Sequence, residues 1–471
     1  MKRRNFIKST IVSSALYGVG GFSLFNQIAH ASAGGFPTLS SRVLVDLMLH
    51  GGPNLRHLMP PPYESDPNSF GYRYWQVNAK VHNLPADDPA AWEQRWENDY
   101  YHLTDGTTSF GLLKEATWLK TMWDLGFLAI VNNVIGSTSR DHSYCQMIKD
   151  QGNVNAGRND SDNPGWGGKL AYVTSGNVLA LTSSPCNFCF GPNPNNLSQR
   201  SNTNVISAAD TRKMRLYHPS TDKEKTYSGR IARSLRAYYA TKREEIASDS
   251  IYKRFTDMEY KSRQFGNAID DRLSQFAIPA NIEGLYTAGS SNVLNNRGLG
   301  KQIRNLYDSL AFSDIVNLRA ASLAMGGWDT HKDQKATIEK NFSDLFGTNK
   351  AFDALSQNIP TIVRENSVLL IGGEFGRQLK ANGNNGTDHG RGTSFLVIGD
   401  NVNGGIYGDM YPATELARLD DRSPDITGLT EYDHIFAPIC DWIAPNSGNI
   451  IFPNQATANL ETGVDLTQLF V

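Results

Sequence analysis

Cysteine is scarce in this chain: there are four in 471 residues, Cys145, Cys186, Cys189 and Cys440. That is too few for a disulfide-stapled scaffold, and the second pair that a structural zinc site needs is missing. Neither sign of charge is in excess, with 45 Lys and Arg against 47 Asp and Glu. Nothing therefore points to nucleic acid or an anionic membrane as partner. Long apolar runs are also lacking, and after the amino-terminal segment no stretch approaches the ~20 apolar residues of a transmembrane helix. The 39% hydrophobic content does suffice for one large core with insertions.

The chain starts Met1-Lys2-Arg3-Arg4-Asn5-Phe6-Ile7-Lys8 and continues uncharged from Ser9 to Gln27. Paired arginines before a weakly apolar stretch read as a twin-arginine export signal covering residues 1–33. Ser13, Ser14, Gly18, Gly20 and Gly21 dilute that stretch too far for a stable membrane span. Ala29-His30-Ala31 or Ala31-Ser32-Ala33 would supply the cleavage site. The expected partner in export is the twin-arginine translocase, and the expected location is periplasmic or secreted.

Short β-branched and aliphatic runs recur at Val43 to Leu49, Phe127 to Ile135, Val178 to Leu181, Arg319 to Met325, Val368 to Ile371 and Phe395 to Ile398. Helical spacing appears between them at Leu112 to Leu125, His142 to Asp150, Ile231 to Ala247, Gln302 to Ser313, Lys335 to Leu345 and Tyr432 to Ile443. This alternation predicts an α/β domain over residues 34–471 with a mostly parallel sheet covered on both faces. Two regions break the rhythm. Residues 63–105 are dense in rings, either to stack on sugars or as a loop packed onto the domain. Residues 192–299 are polar and then helical, and read as an insertion or cap. Cys186-Asn187-Phe188-Cys189 lies in a Pro- and Asn-rich loop, which favours a local disulfide or two inert thiols over thioredoxin-type redox work.

Ligands of open parallel sheets bind beyond the carboxyl ends of strands. Five polar clusters fall at such places: His50 to Asn54, Ser137 to His142, Gly326 to His331, Gly372 to Arg377, and Thr387 to Gly392 after the Gly/Asn-rich loop 382–386. Imidazoles and carboxylates on neighbouring loops form the ligand set of zinc, manganese or iron. Asp329 and His331 are two residues apart, so on an extended loop they point the same way.

Gly327-Trp328-Asp329-Thr330-His331, Gly373-Glu374-Phe375-Gly376-Arg377, Gly386-Thr387-Asp388-His389-Gly390 and Gly404-Gly405-Ile406-Tyr407-Gly408 follow in order. Together they resemble the exported family called domain of unknown function fifteen-oh-one, distant relatives of alkaline phosphatases and sulfatases. The resemblance implies an alkaline-phosphatase-like three-layer α/β/α sandwich in which metal ions clamp a phosphate or sulfate ester. It implies a metal side formed by Asp329, His331, Glu374, Asp388, His389 and Asn54. Arg377 or Arg391 would fork onto a tetrahedral anion. This chain has Asn54 where the family has an acid, and Arg140-Asp141-His142 where it has Arg-Ser-His. The attacking group would then be Asp141 itself or a neighbouring hydroxyl such as Ser139, next to His142. The formylglycine signature of the main sulfatase class is absent.

Three readings follow. The first is a metal-dependent hydrolase of a phosphate or related ester, with a small ester or glycan as ligand. The second is a non-catalytic cell-envelope binding or assembly protein that keeps the fold. The third is redox work by Cys186 and Cys189.

Overall fold

The computed structural model describes residues 36–37, 41–182, 184–213, 227–248, 250–275, 277–453 and 464–471. The expected export signal, residues 1–33, lies outside them. The strands are β1 Val43–Leu49, β2 Tyr100–Asp105, β3 Thr108–Leu113, β4 Leu128–Ile135, β5 Asn177–Ala180, β6 Gly191–Asn193 and β7 Asn196–Ser201. They continue with β8 Val205–Ser207, β9 Leu318–Met325, β10 Ser367–Gly372, β11 Thr393–Ile398, β12 Gly405–Tyr407 and β13 Thr430–Glu431. Helices of eight or more residues are α1 Phe70–Asn78, α2 Pro89–Asp99, α3 Thr117–Asp124, α4 His142–Gln151 and α5 Trp166–Val173. After them come α6 Tyr227–Glu245, α7 Ile251–Ser274, α8 Arg297–Ala311, α9 Gln334–Phe346 and α10 Tyr432–Ile443.

Nine strands form one sheet in the order β12-β4-β11-β10-β1-β9-β5-β8, with β13 also on β4. Every pairing in it is parallel except those of β11, which runs against both β10 and β4. The architecture is thus mixed α/β around a large, mostly parallel sheet, as the alternation predicts. All seven residues of central β1 are buried, the pattern of a strand covered on both faces. Val43, Val45, Leu47 and Leu49 enter one hydrophobic cluster with residues of α3, α8 and α9. Leu44 enters a second cluster with residues of α4, α5 and α10.

Two expectations are corrected in detail. Leu112 and Leu113, the start of the anticipated helix Leu112 to Leu125, end β3, which pairs with β2 through a turn at Gly106, whose φ of +55° suits glycine. The ring-rich stretch holds α1, α2 and this hairpin rather than a loop. Ser69 and Asp88 cap the two helices by accepting backbone N–H bonds from Tyr72 and Ala91 at 3.1 Å. Tyr74, Trp75, Trp92, Trp96 and Tyr100 are all buried, so these rings pack the core and offer no stacking face to a sugar. His82 stacks on His57 at 4.4 Å and meets Trp75 at 4.8 Å. Neither nitrogen of the buried His82 ring has a hydrogen-bond partner. The 192–299 segment supplies α6 and α7, but it also supplies β8, the edge strand of the main sheet. No helix among the described residues is long and apolar enough to cross a membrane.

Candidate functional site

Strands β1, β4, β9 and β10 all end at one rim, and β11 begins there because it runs the other way. Sequence-distant loops therefore meet. His142 opens α4, held by Asp141, whose Oδ1 accepts the Tyr144 N–H at 2.8 Å as N-cap. Asp329 and His331 leave β9, and His389 forms an isolated antiparallel bridge with Arg377.

Asp329 Oδ1 lies 2.8 Å from His389 Nε2 and 3.0 Å from His331 Nε2, and the two Nε2 atoms are 2.9 Å apart. His142 Nε2 stands 3.5 Å from Asp329 Oδ2. The other nitrogen of each ring faces an acceptor. His389 Nδ1 is 3.1 Å from the Arg140 carbonyl, His331 Nδ1 is 3.0 Å from Asp388 Oδ1, and His142 Nδ1 is 2.7 Å from Glu374 Oε1. These acceptors assign a proton to each Nδ1, so in the neutral rings every Nε2 carries a lone pair toward Asp329. Ligand atoms of His142, Asp329 and His389 all lie within 4.8 Å of one another, and His331 Nε2 adjoins the last two. Only an imidazolium could hold both contacts of His389 by hydrogen bonding, and burial pushes that group below its ordinary value despite the pull of Asp329.

The donor set fits a divalent transition metal. Neighbouring donors stand about 3.0 Å apart around an octahedral ion with bonds of about 2.1 Å, and about 3.4 Å apart around a tetrahedral one. The Asp329 and His331 side chains keep 46% and 42% of their exposure, so the cluster opens to solvent and leaves room for an outside oxygen. Burial pushes the Asp329 carboxyl up, but contact with His389 and with the Arg377 guanidinium outweighs it and leaves the group well below the usual carboxylate range.

The remaining anticipated residues stand behind the cluster or beside it. Glu374 is buried and accepts from the Gly51 N–H at 2.9 Å as well as facing His142. Asp388 faces His331 and accepts from Asn382 Nδ2 at 3.0 Å, the first reason its carboxyl lies below the ordinary range. Both carboxylates thus orient imidazoles from outside, as supports of a metal site do. Asn54 Oδ1 takes the His57 N–H at 3.2 Å and caps the short helix Leu55–Leu58. Ser139 Oγ accepts from the Asp141 N–H at 3.1 Å. Arg391 is exposed and lies along Asp425, which also binds Arg140 at 2.8 Å.

Arg377 has no exposed side-chain surface. Its Nε donates to Gly52 O at 2.8 Å and its Nη1 to Thr387 O at 2.9 Å. Its Nη2 serves Gly51 O at 2.5 Å, Trp328 O at 2.9 Å and Asp329 Oδ1 at 2.7 Å. The guanidinium thus ties the loops after β1, β9 and β10 to the approach to β11, instead of facing a ligand. Sequence reading did not single out Asp425 or Gln146, which reaches Glu374 Oε1 at 3.4 Å; both lack a local motif. An apolar cavity of about 340 Å³, lined by Val45, Met122, Leu306, Phe352, Leu369 and Ile398, lies at the opposite end of the strands, away from this chemistry.

Fold and geometry define an α/β protein with a histidine–carboxylate cluster at the carboxyl rim of a mostly parallel sheet. Residues 315–421, which carry all of that cluster except His142, match the family model described as "Protein of unknown function (DUF1501)". No curated protein and no solved structure matches the chain.

Proposed function

We propose that this is an exported, metal-dependent hydrolase of a phosphate or related ester, built on an alkaline-phosphatase-like three-layer sandwich. The observation that carries the reading is the convergence of three Nε2 lone pairs on Asp329, each imposed by an acceptor at the opposite ring nitrogen. Asp329, His331 and His389 would hold the ion, with His142 as a fourth donor. A divalent ion there would supply Lewis-acid stabilisation of charge developing on an ester oxygen. The chain's own contribution is orientation. Asp388, Glu374 and the Arg140 carbonyl fix the three rings, and Arg377 fixes Asp329. Among the described residues no side-chain hydroxyl is hydrogen-bonded to the four donors, which favours water as the attacking group over Ser139 or Asp141. The Arg3-Arg4 start supports export.

The test is elemental analysis of protein produced with its export route intact, followed by assay on aryl phosphates and phosphodiesters. Bound zinc, manganese or iron together with turnover is expected. Metal-free protein that turns over nothing in a broad ester panel removes the reading.

A second reading, a non-catalytic envelope protein, draws on the burial of Arg377 and the capping role of Asp141, which occupy the anticipated cationic fork and the anticipated attacking carboxylate in holding the loops together. In that case His331→Ala lowers the melting temperature and changes no turnover.

A further inference from the structure

The Cys186 to Cys189 turn is not part of the rim site. Cys186 caps a single 3-10 turn, Asn187–Cys189, closed by the Cys189 N–H on Cys186 O at 3.1 Å. Side chains three apart eclipse in that geometry, so the two sulfurs are brought together. They are separate thiols, 3.9 Å apart. Cys189 is fully buried, whereas Cys186 keeps part of its surface. Cys186 Sγ lies 3.3 Å from Ser322 Oγ, and the charge of the nearby Asp150 carboxylate opposes ionisation of the Cys186 thiol. Asp150 is itself buried at the end of α4. A reachable thiol with a sheltered second thiol behind it provides the parts of an exchange site.

We propose that Cys186 and Cys189 are a redox-active dithiol that closes to a disulfide by exchange with a low-molecular-weight disulfide. In the first step Cys186 loses its proton to solvent and its sulfur attacks the incoming disulfide. One thiolate leaves, takes up a proton, and a mixed disulfide remains on Cys186. In the second step Cys189 loses its proton, its sulfur attacks Cys186, and the second small thiolate departs with the proton. Two protein thiols are oxidised and one disulfide is reduced to two thiols.

Several features set the character of the pair. Donation of its S–H to the Cys189 sulfur, and burial, push the Cys186 thiol well above its ordinary range. Thiolate is therefore rare at neutral pH, exchange is slow, and the closed form resists reduction. Closure pins Phe188, which lies between the two cysteines, is fully buried, and meets Trp166 edge-on at 5.0 Å. This inference is independent of the metal reading.

The test uses the full chain, reduced and then incubated with oxidised glutathione at neutral pH. Both cysteines lie in one tryptic peptide, residues 170–200. That peptide should become lighter by two hydrogens, and after denaturation two alkylatable thiols should remain, those of Cys145 and Cys440. Cys189→Ser should accumulate the glutathione adduct on Cys186. The proposal is overturned if both sulfurs of the folded protein stay alkylatable while a denatured control oxidises, or if oxidation links Cys145 or Cys440 instead.

Discussion

The buried imidazole pair beneath the aromatic layer makes stability depend on pH, and His82→Phe isolates the effect. His82 is fully buried with both nitrogens unpartnered, and burial, the neighbouring His57 and Arg95 push it well below its ordinary value of 6.5. The unfolded chain takes up that proton near 6.5 and the folded chain does not. Stability from this source is whole above 6.5 and falls as pH drops below it, until the folded value is reached. One pH unit below 6.5 the unfolded ring is about ten to one protonated, which costs the fold about 1.4 kcal/mol. His57, lowered chiefly by burial, acts in the same direction. Asp150 acts oppositely, because burial pushes it up to about 6 and the folded state gains as pH falls through that range. Comparing wild type with His82→Phe cancels both, together with any constant packing offset from the larger ring. Urea unfolding at pH 7.5 and 5.5 should show the variant gaining about 1.4 kcal/mol on wild type over that interval. An equal difference at both pH values would refute the claim that the fold keeps His82 neutral.

Other outcomes follow from the rim. Asp388→Ala frees His331 Nδ1 and should weaken metal binding about 10- to 100-fold in a chelator competition, with little change in secondary structure. Arg377→Met leaves four carbonyls and Asp329 without their donor and should cost at least about 3 kcal/mol in urea unfolding; a loss below about 1 kcal/mol would contradict its role as a tie between loops. At Gly386 an added methyl would stand 2.3 Å from the carbonyl carbon of His331. Gly386→Ala should therefore displace His331 and lower both the melting temperature and the metal content.

Much of this was legible because apolar runs and polar stops record strand ends directly. Val43 to Leu49 and Tyr432 to Ile443 were read at their observed limits. The alternation of elements predicted a mostly parallel sheet, and its topology brings the five polar clusters to one rim. Roles within the cluster were less legible. Asp388 and His389 are adjacent in sequence, yet one faces the donor atoms and the other holds His331 from behind, because alternate side chains diverge on an extended segment. Asp141 looked like an attacking group, but the first N–H groups of a helix compete for any acid at that position and capture it. The burial of Arg377 depends on carbonyls more than 300 residues away, which no local spacing encodes. The rings of 63–105 were visible as a cluster, but whether they faced in or out depended on helices that weak periodicity concealed.

The Arg377 junction also bears on biosynthesis. Its partners Gly51 and Gly52 emerge from the ribosome early, while Thr387 follows Arg377 itself by ten positions. A nascent chain that ends before Thr387 cannot close the junction. The junction must therefore wait until more than four-fifths of the polypeptide has been made, and truncation before Thr387 should yield a product that does not reach the native fold.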